Sequence, residues 1–328
     1  MNHMLLDAKP ESGISVVMCT YNGGRYLHEQ LQSIRRQTRL PAELVVCDDG
    51  STDQTLSILH EFAAAAPFAV RIVHNSTRMG STANFDQAIR LAQGAFIALC
   101  DQDDRWKPEK LERLGYLLEK DRNLGGVFSN ASLIGADSET IGGDLFAAHC
   151  FLPAKQRAFR EDPVSVFLKH CVVCGATLMF RSSLRQYIPL IPRSWVHDAW
   201  LAWMIVLHSR LEFTTEALID YRVHAGQQIG VGGALASAAA PTTRESWREH
   251  YRRVAGQYLE LRNYLIASGA GQWEKVLGHI NRKIAFLEME AGLSTIMAVR
   301  TLEIVRRLPE YLRYTRGLGA IRDDTLMD

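Results

Sequence analysis

Ala95-Phe-Ile-Ala-Leu-Cys100 runs straight into Asp101-Gln-Asp-Asp-Arg-Trp106, an apolar stretch closed by three carboxylates in four residues. The first half reads as a buried strand, the second as the loop at its carboxyl end. Successive side chains of an extended chain point to opposite sides, so Asp101 and Asp103 face the same way and can share one hard cation and the phosphate oxygens it carries. Open α/β sheets bind ligands just outside the carboxyl ends of their strands, which is where this cluster falls. The rival reading is an acidic turn facing water, since Asp is common in turns.

The residues upstream favour the ligand-binding reading. Ile14-Ser-Val-Val-Met-Cys19 is a second apolar run, ending in Thr20-Tyr-Asn-Gly-Gly24, whose Asn and Gly tolerate positive φ. Leu27, Leu31 and Ile34 then fall on one face of a helix. Glu43-Leu-Val-Val-Cys47 repeats the strand signal, and Ser51-Thr-Asp-Gln54 predicts a capping box opening a helix through Leu56 and Leu59. A third strand at Val70 to His74 and a helix around Asn84 to Ala92 lead into the fourth strand at Ala95. This alternation predicts an α/β fold, doubly wound, with a mostly parallel central sheet flanked by helices.

Beyond residue 106 the pattern is less regular. Pro108 suits the first turn of a helix whose Leu111, Leu114, Leu117 and Leu118 face inward. Strand signals recur at 126–130 and 175–180, and a helix is expected from His197 to about His208. Residues 230–241 are rich in Gly and Ala and read as a flexible connection or flap; from Arg244 onward the pattern is helical.

With 47% hydrophobic and 22% charged residues, the 328-residue chain has the length for one large domain or two small ones. A formal net charge of +1 argues against a nucleic-acid binder, whose basic surface would dominate the composition. No apolar run approaches the roughly 18–20 residues that cross a bilayer, and the first ten residues lack a signal-peptide core, so a cytoplasmic location is expected. Cys171-Val-Val-Cys174 has no second pair and no suitably spaced histidines to make a zinc site. Residues 300–322 carry six Arg against two Glu, with Leu293, Met297, Leu302, Val305, Leu308 and Leu312 expected on one face opposite Arg300, Arg306, Arg307, Arg313 and Arg316. Two readings stay open: peripheral contact of residues 293–322 with an anionic membrane surface, or a helix packed on the domain with a solvated basic face. Pro309 kinks or splits the helix in either case.

Ile14 to Gly23, Val46-Cys-Asp-Asp-Gly-Ser-Thr-Asp53 and Asp101-Gln-Asp-Asp104 resemble, in order and spacing, the signature of the family 2 inverting glycosyltransferases of GT-A fold. Among these the chain is most similar to bacterial rhamnosyltransferase-type members that build surface polysaccharides. The resemblance spans residues 12–230. It implies a nucleotide-sugar-binding half at 12–105 and an acceptor-binding and catalytic half at 106–230; composition and helical pattern alone add a linker or flap at 231–243 and a C-terminal helical extension at 244–328.

The resemblance also implies roles. Thr20, Tyr21, Asn22, Asp48, Asp49, Asp101 and Arg222 would bind the donor, with Asp49 accepting the imide N–H of uracil or thymine and Arg222 pairing with phosphate. An Asx turn before Gly50 is the structural alternative for Asp48 and Asp49. Mg²⁺ or Mn²⁺ would be held by Asp101, Asp103, Asp104 and His224. Trp195-Val-His-Asp-Ala-Trp200 is similar to the family segment that supplies the base, which points to Asp198; a helix N-cap is its structural alternative. Trp106 and Trp195 are candidates to stack on the acceptor, whereas Trp200 and Trp203 read as core. The implied partners are a dTDP- or UDP-sugar and a saccharide acceptor, expected to be lipid-linked. An aspartyl phosphatase is disfavoured because Arg105 stands where its DxDx(T/V) motif needs Thr or Val. The other alternative is a non-catalytic nucleotide-binding assembly factor.

Overall fold

Four strands in the first hundred residues pair in parallel, as their apolar runs require. In the computed structural model, which describes residues 13–227, 243–293 and 297–315, β1 (Ile14–Thr20) lies between β2 (Glu43–Asp48) and β4 (Phe96–Cys100), and β3 (Ala69–His74) lies outside β2. The intervening segments form α1 (Leu27–Arg35), α2 (Thr55–Ala65) and α3 (Ser81–Leu91). Every residue of β2 and β4 is buried, consistent with a parallel sheet covered on both faces. From β1 the chain moves to β2 on one side, and β4 returns on the other. The crevice at this reversal is bounded by the carboxyl ends of all three strands, with Thr20 opposite Asp48 and Met18 opposite Cys100.

The sheet continues beyond β4 in mixed sense. β8 (Leu178–Arg181) runs antiparallel to β4, β6 (Leu124–Ile134) antiparallel to β8, and β9 (Arg210–Arg222) parallel to β6. The two-residue β5 (Arg105–Trp106) closes the far edge on β9, and β7 (Thr140–Asp144) pairs with β6. Between them lie α4 (Lys110–Lys120), the short α5 (Leu145–Ala148), α6 (Pro153–Glu161), α7 (Pro163–Phe167) and α8 (His197–His208). The expected inward face of α4 holds for Leu111, Leu114 and Leu118, which are buried, while Leu117 is only partly buried.

Two local expectations are corrected. Helix α2 starts at Thr55 rather than at a Ser51 capping box, because Ser51 gives its hydroxyl to Asp48 while Asp53 accepts the Thr55 N–H at 3.0 Å. Trp106 and Trp195 are 3% and 6% exposed, so neither presents a free aromatic face to an acceptor. Trp200 and Trp203 are core residues, as expected.

The chain divides into two compact units, and the division is not linear. One comprises residues 1–151 and 173–231; the other joins 152–172 to 232–328. In the second unit α6 and α7 associate with α9 (Arg244–Ala267), α10 (Glu274–Gly292), α11 (Met297–Arg306) and α12 (Leu308–Tyr314). Tyr258 of α9 donates its hydroxyl to the Phe167 carbonyl at 3.1 Å. Pro309 sits in the first turn of α12, so it splits the helix as expected. Most of the expected linker at 231–243, residues 316–322 and the Met297 side chain lie outside the described residues. No helix among the described residues is long and apolar enough to cross a membrane.

Candidate active site

Three loops meet at the carboxyl ends of β1, β2 and β4, and their own polar groups stitch them together. Gln102 makes a reciprocal pair with Tyr21, accepting its backbone N–H at 2.9 Å and donating to its carbonyl at 3.1 Å. This amide acts like a short strand partner and ties the acidic loop to the end of β1. Asn22 takes φ of 47°, a left-handed geometry that Asn tolerates, and accepts the Thr52 N–H at 2.8 Å. Its own N–H goes to the Ser51 hydroxyl at 2.8 Å. Thr20, Tyr21 and Asn22 therefore shape the crevice wall with backbone held in place.

The two carboxylates after β2 have different duties. Asp48 is saturated: one oxygen accepts from Thr20 and Ser51 hydroxyls at 2.8 and 2.5 Å, the other from the Ser51 N–H at 2.9 Å and lies 3.0 Å from His74 Nδ1. Burial alone would raise its pKa, but these hydrogen bonds outweigh burial and hold it below the usual carboxylate range. With all four acceptor directions used, Asp48 organises the loop and is corrected as a donor-binding residue. Asp49 accepts from the Met79 and Gly80 N–H groups at 2.7 and 2.9 Å and from Asn75 at 3.2 Å. That leaves one acceptor direction on Oδ2, which lies 4.0 Å from Nε of Arg78, whose guanidinium stands over the Tyr21 ring at 3.8 Å.

The acidic loop splits by depth. Asp103 meets His224 at 2.9 Å, Oδ2 to Nε2. Asp104 is 1% exposed; one of its oxygens accepts the Arg222 N–H at 3.0 Å and the other is buried without a hydrogen-bond partner. Asp104 therefore lies deeper than Asp101 and Asp103, and burial beside Asp103 and Asp101 raises its pKa well above normal. Asp101 is pushed up to about 7 by burial and by the charges of Asp103 and Asp198. The charge of Asp198, in the first turn of α8, thus bears on Asp101, the first residue after β4. Asp198 is held there by the Gly175 N–H at 3.0 Å, and a Cβ on Gly175 would come within 2.9 Å of the His197 ring. His197 itself is buried and stacks on Phe85 at 3.9 Å.

Arg222 is also corrected. Its guanidinium is fully buried and donates to Glu29 at 2.5 Å, the Asp103 carbonyl at 2.7 Å, Ser138 at 2.8 Å and the Gly135 carbonyl at 3.1 Å. It straps the end of β9 to α1, to the acidic loop and to the 135–138 turn, leaving no face for phosphate. Lys110, absent from the expected set, is buried under the acidic loop with Nζ 2.7 Å from the Ala176 carbonyl and 3.3 Å from the Trp106 ring centroid. Burial pushes its pKa down to about 7 against the pull of Cys100, Asp104 and Asp101. The signal was legible: position 110 shares the i, i+4 face of Leu114 and Leu118.

Among the described residues no three His, Cys, Asp or Glu side chains converge to hold a metal ion. A Mg²⁺-like cation does not need three, since it is commonly held by one or two carboxylates with substrate phosphates and water completing its shell. Asp101 and Asp103, hard oxygen donors that are partly exposed where Asp104 is buried, fit that requirement.

The family model described as "Glycosyl transferase family 2" matches residues 15–188. The chain is 26% identical over 265 residues to the uncharacterized glycosyltransferase alr2836 of Nostoc sp., covering 79% of this chain and 77% of that protein. It is 23% identical over 217 residues to the Escherichia coli UDP-Glc:alpha-D-GlcNAc-diphosphoundecaprenol beta-1,3-glucosyltransferase WfaP, covering 65% and 78%. Among solved structures, Staphylococcus aureus TarS 1–349 in complex with UDP-GlcNAc superposes with a TM-score of 0.56 at 19% identity, covering 95% of this chain and 81% of that one. That likeness shows the fold.

Proposed function

The chain belongs to glycosyl transferase family 2, and from that premise we propose that it transfers a sugar from a nucleoside-diphosphate donor to a saccharide acceptor with inversion at the anomeric carbon. The observation that carries the reading is the placement of Asp198 beside the end of β4: it accepts the Gly175 N–H at 3.0 Å, and the β4–β8 register, Ala98 opposite Met179, sets residues 175–177 alongside Cys100 and Asp101, so that one carboxylate is available to the acceptor and the other to the donor diphosphate. As the acceptor oxygen attacks the anomeric carbon, Asp198 takes its proton. The bond to the diphosphate oxygen on the opposite face breaks, and its electron pair leaves with the nucleoside diphosphate. Asp49 reads the base through its remaining acceptor direction, which suits the imide N–H of uracil or thymine and leaves UDP and dTDP as the donor nucleotides. Asp101 and Asp103 would hold Mg²⁺ or Mn²⁺, which when bound neutralises charge on the leaving diphosphate.

The setting we favour is surface-polysaccharide synthesis, with rhamnose as the candidate sugar and an acceptor carried on a lipid at the cytoplasmic membrane face. The name of WfaP, which specifies an undecaprenol-linked acceptor, supports the lipid carrier.

Calorimetric titration with UDP and with dTDP, each with and without Mn²⁺, tests the donor site. Binding that needs the cation and is abolished by Asp103→Ala is expected; absence of binding to either nucleotide by folded protein overturns the assignment. Asp198→Asn is expected to lower turnover by about 10² to 10⁴ while nucleotide binding survives. Equal turnover would remove Asp198 from the mechanism. Nucleotide binding with no turnover against any acceptor would favour the assembly-factor reading.

A further inference from the structure

Helices α11 and α12 are folded with an apolar face outward. Ile304, Tyr311 and Tyr314 are buried, and Phe286 of α10 meets the two tyrosine rings at centroid distances of 5.2 and 5.6 Å. Val299, Leu302, Val305, Leu308 and Leu312 are instead 40–62% exposed. A surface helix ordinarily turns its apolar stripe inward; here the inward face is already filled and a second stripe stands in water. Helices α10 and α12, with Arg307 between α11 and α12, border a cavity of about 270 Å³ lined by Arg282, Arg307 and Arg313, with Glu310 as its acidic residue among the described residues. Arg282 donates to His279, while neither Arg307 nor Arg313 is paired with a carboxylate among the described residues. An excess of cationic charge in a pocket beside an exposed apolar ridge complements one kind of surface: anionic headgroups above acyl chains.

We propose that α11 and α12 form a lipid-surface site, with the ridge seated at the headgroup–acyl boundary and the arginine pocket receiving the phosphate of an anionic phospholipid. The inference rests on the proposed function only for its purpose, which is to bring the enzyme to a lipid-borne acceptor. Its test contains neither donor nor acceptor, so failure of one reading is distinguishable from failure of the other.

The experiment is flotation of the full chain with vesicles of phosphatidylcholine alone and of equal parts phosphatidylcholine and phosphatidylglycerol. Binding to the anionic vesicles, weakened by salt, is expected. Arg307→Gln and Arg313→Gln should each lower partitioning about fivefold, and Leu302→Glu with Val305→Glu should remove it, with UDP or dTDP binding unchanged in every variant. Three results would overturn the proposal: no flotation of the folded wild type, flotation indifferent to these substitutions, or a dimer in solution that Leu302→Glu dissociates while vesicles go unbound. Calorimetric heat with inorganic phosphate but no flotation would likewise reassign the pocket to a free anion.

Discussion

At the scale of single residues, a carboxylate or guanidinium near a cleft is defined by what already occupies its hydrogen-bonding capacity. Arg222 shows this most clearly, since its guanidinium bonds three separate segments from a fully buried position. Replacing it with Met would leave Glu29 without its buried partner and free the carbonyls of Asp103 and Gly135. Glu29 is partly exposed and keeps Arg105 and Ser138, so the cost lies in the carbonyls of Asp103 and Gly135 that lose their donor, and we expect Arg222→Met to destabilise the fold by about 2 kcal/mol. Chemical denaturation would measure it; a wild-type midpoint together with weakened nucleotide binding would return Arg222 to a phosphate-binding role. The order of Asp101, Asp103 and Asp198 along the chain made them legible as candidates. The burial of Asp104 and Arg222 was not, because a sequence does not state which of several adjacent polar side chains turns inward. Lys110 was legible in principle, as a charge on an otherwise apolar helical face.

At the scale of elements, periodicity located the four parallel strands, α4 and α8 to within a residue or two, because each carries a long apolar run or a regular stripe. The start of α2 was misplaced because Ser51 has two possible employments, and the carboxylate of Asp48 competes successfully for its hydroxyl. In the helical unit, Lys283 of α10 is buried and donates to the Tyr314 carbonyl at 2.7 Å, at the carboxyl end of α12 where a cation complements the helix dipole. Burial lowers its pKa to about 7 from the ordinary 10.5, opposed by Glu290. The sign follows from proton counting: between those values the unfolded chain binds more protons than the native one, so stability contributed by this group is present above 10.5 and lost as pH falls toward 7. Stability measured by urea unfolding should therefore rise from pH 7 to 10 in the wild type more steeply than in Lys283→Met. Parallel profiles would show that Lys283 keeps an ordinary pKa in the folded state.

At the scale of the whole molecule, the reading along the chain assigned one domain after another and treated residues 244–328 as an extension. Contacts reveal interleaving instead, with residues 152–172 leaving the first unit to join the C-terminal helices. Nothing in local pattern could show this, since α6 and α7 are short and their partners lie about a hundred residues downstream in sequence. The consequence is that the C-terminal helices are not a removable appendage. Phe159, Val166 and Phe167 are buried within the helical unit, and the Phe167 carbonyl is satisfied by Tyr258. Tyr258→Phe alone should cost about 1 kcal/mol, the net worth of one hydrogen bond. Ending the chain after Gln227 would leave α6 and α7 without the helices they pair with and expose those three apolar side chains together. The truncated chain is expected to bind a hydrophobic dye and to elute as aggregate, with residues 152–172 the first to be cut by protease. A monodisperse product with the melting temperature of the full chain would show instead that α6 and α7 are held by the first unit, and that the helical extension is a separate domain after all.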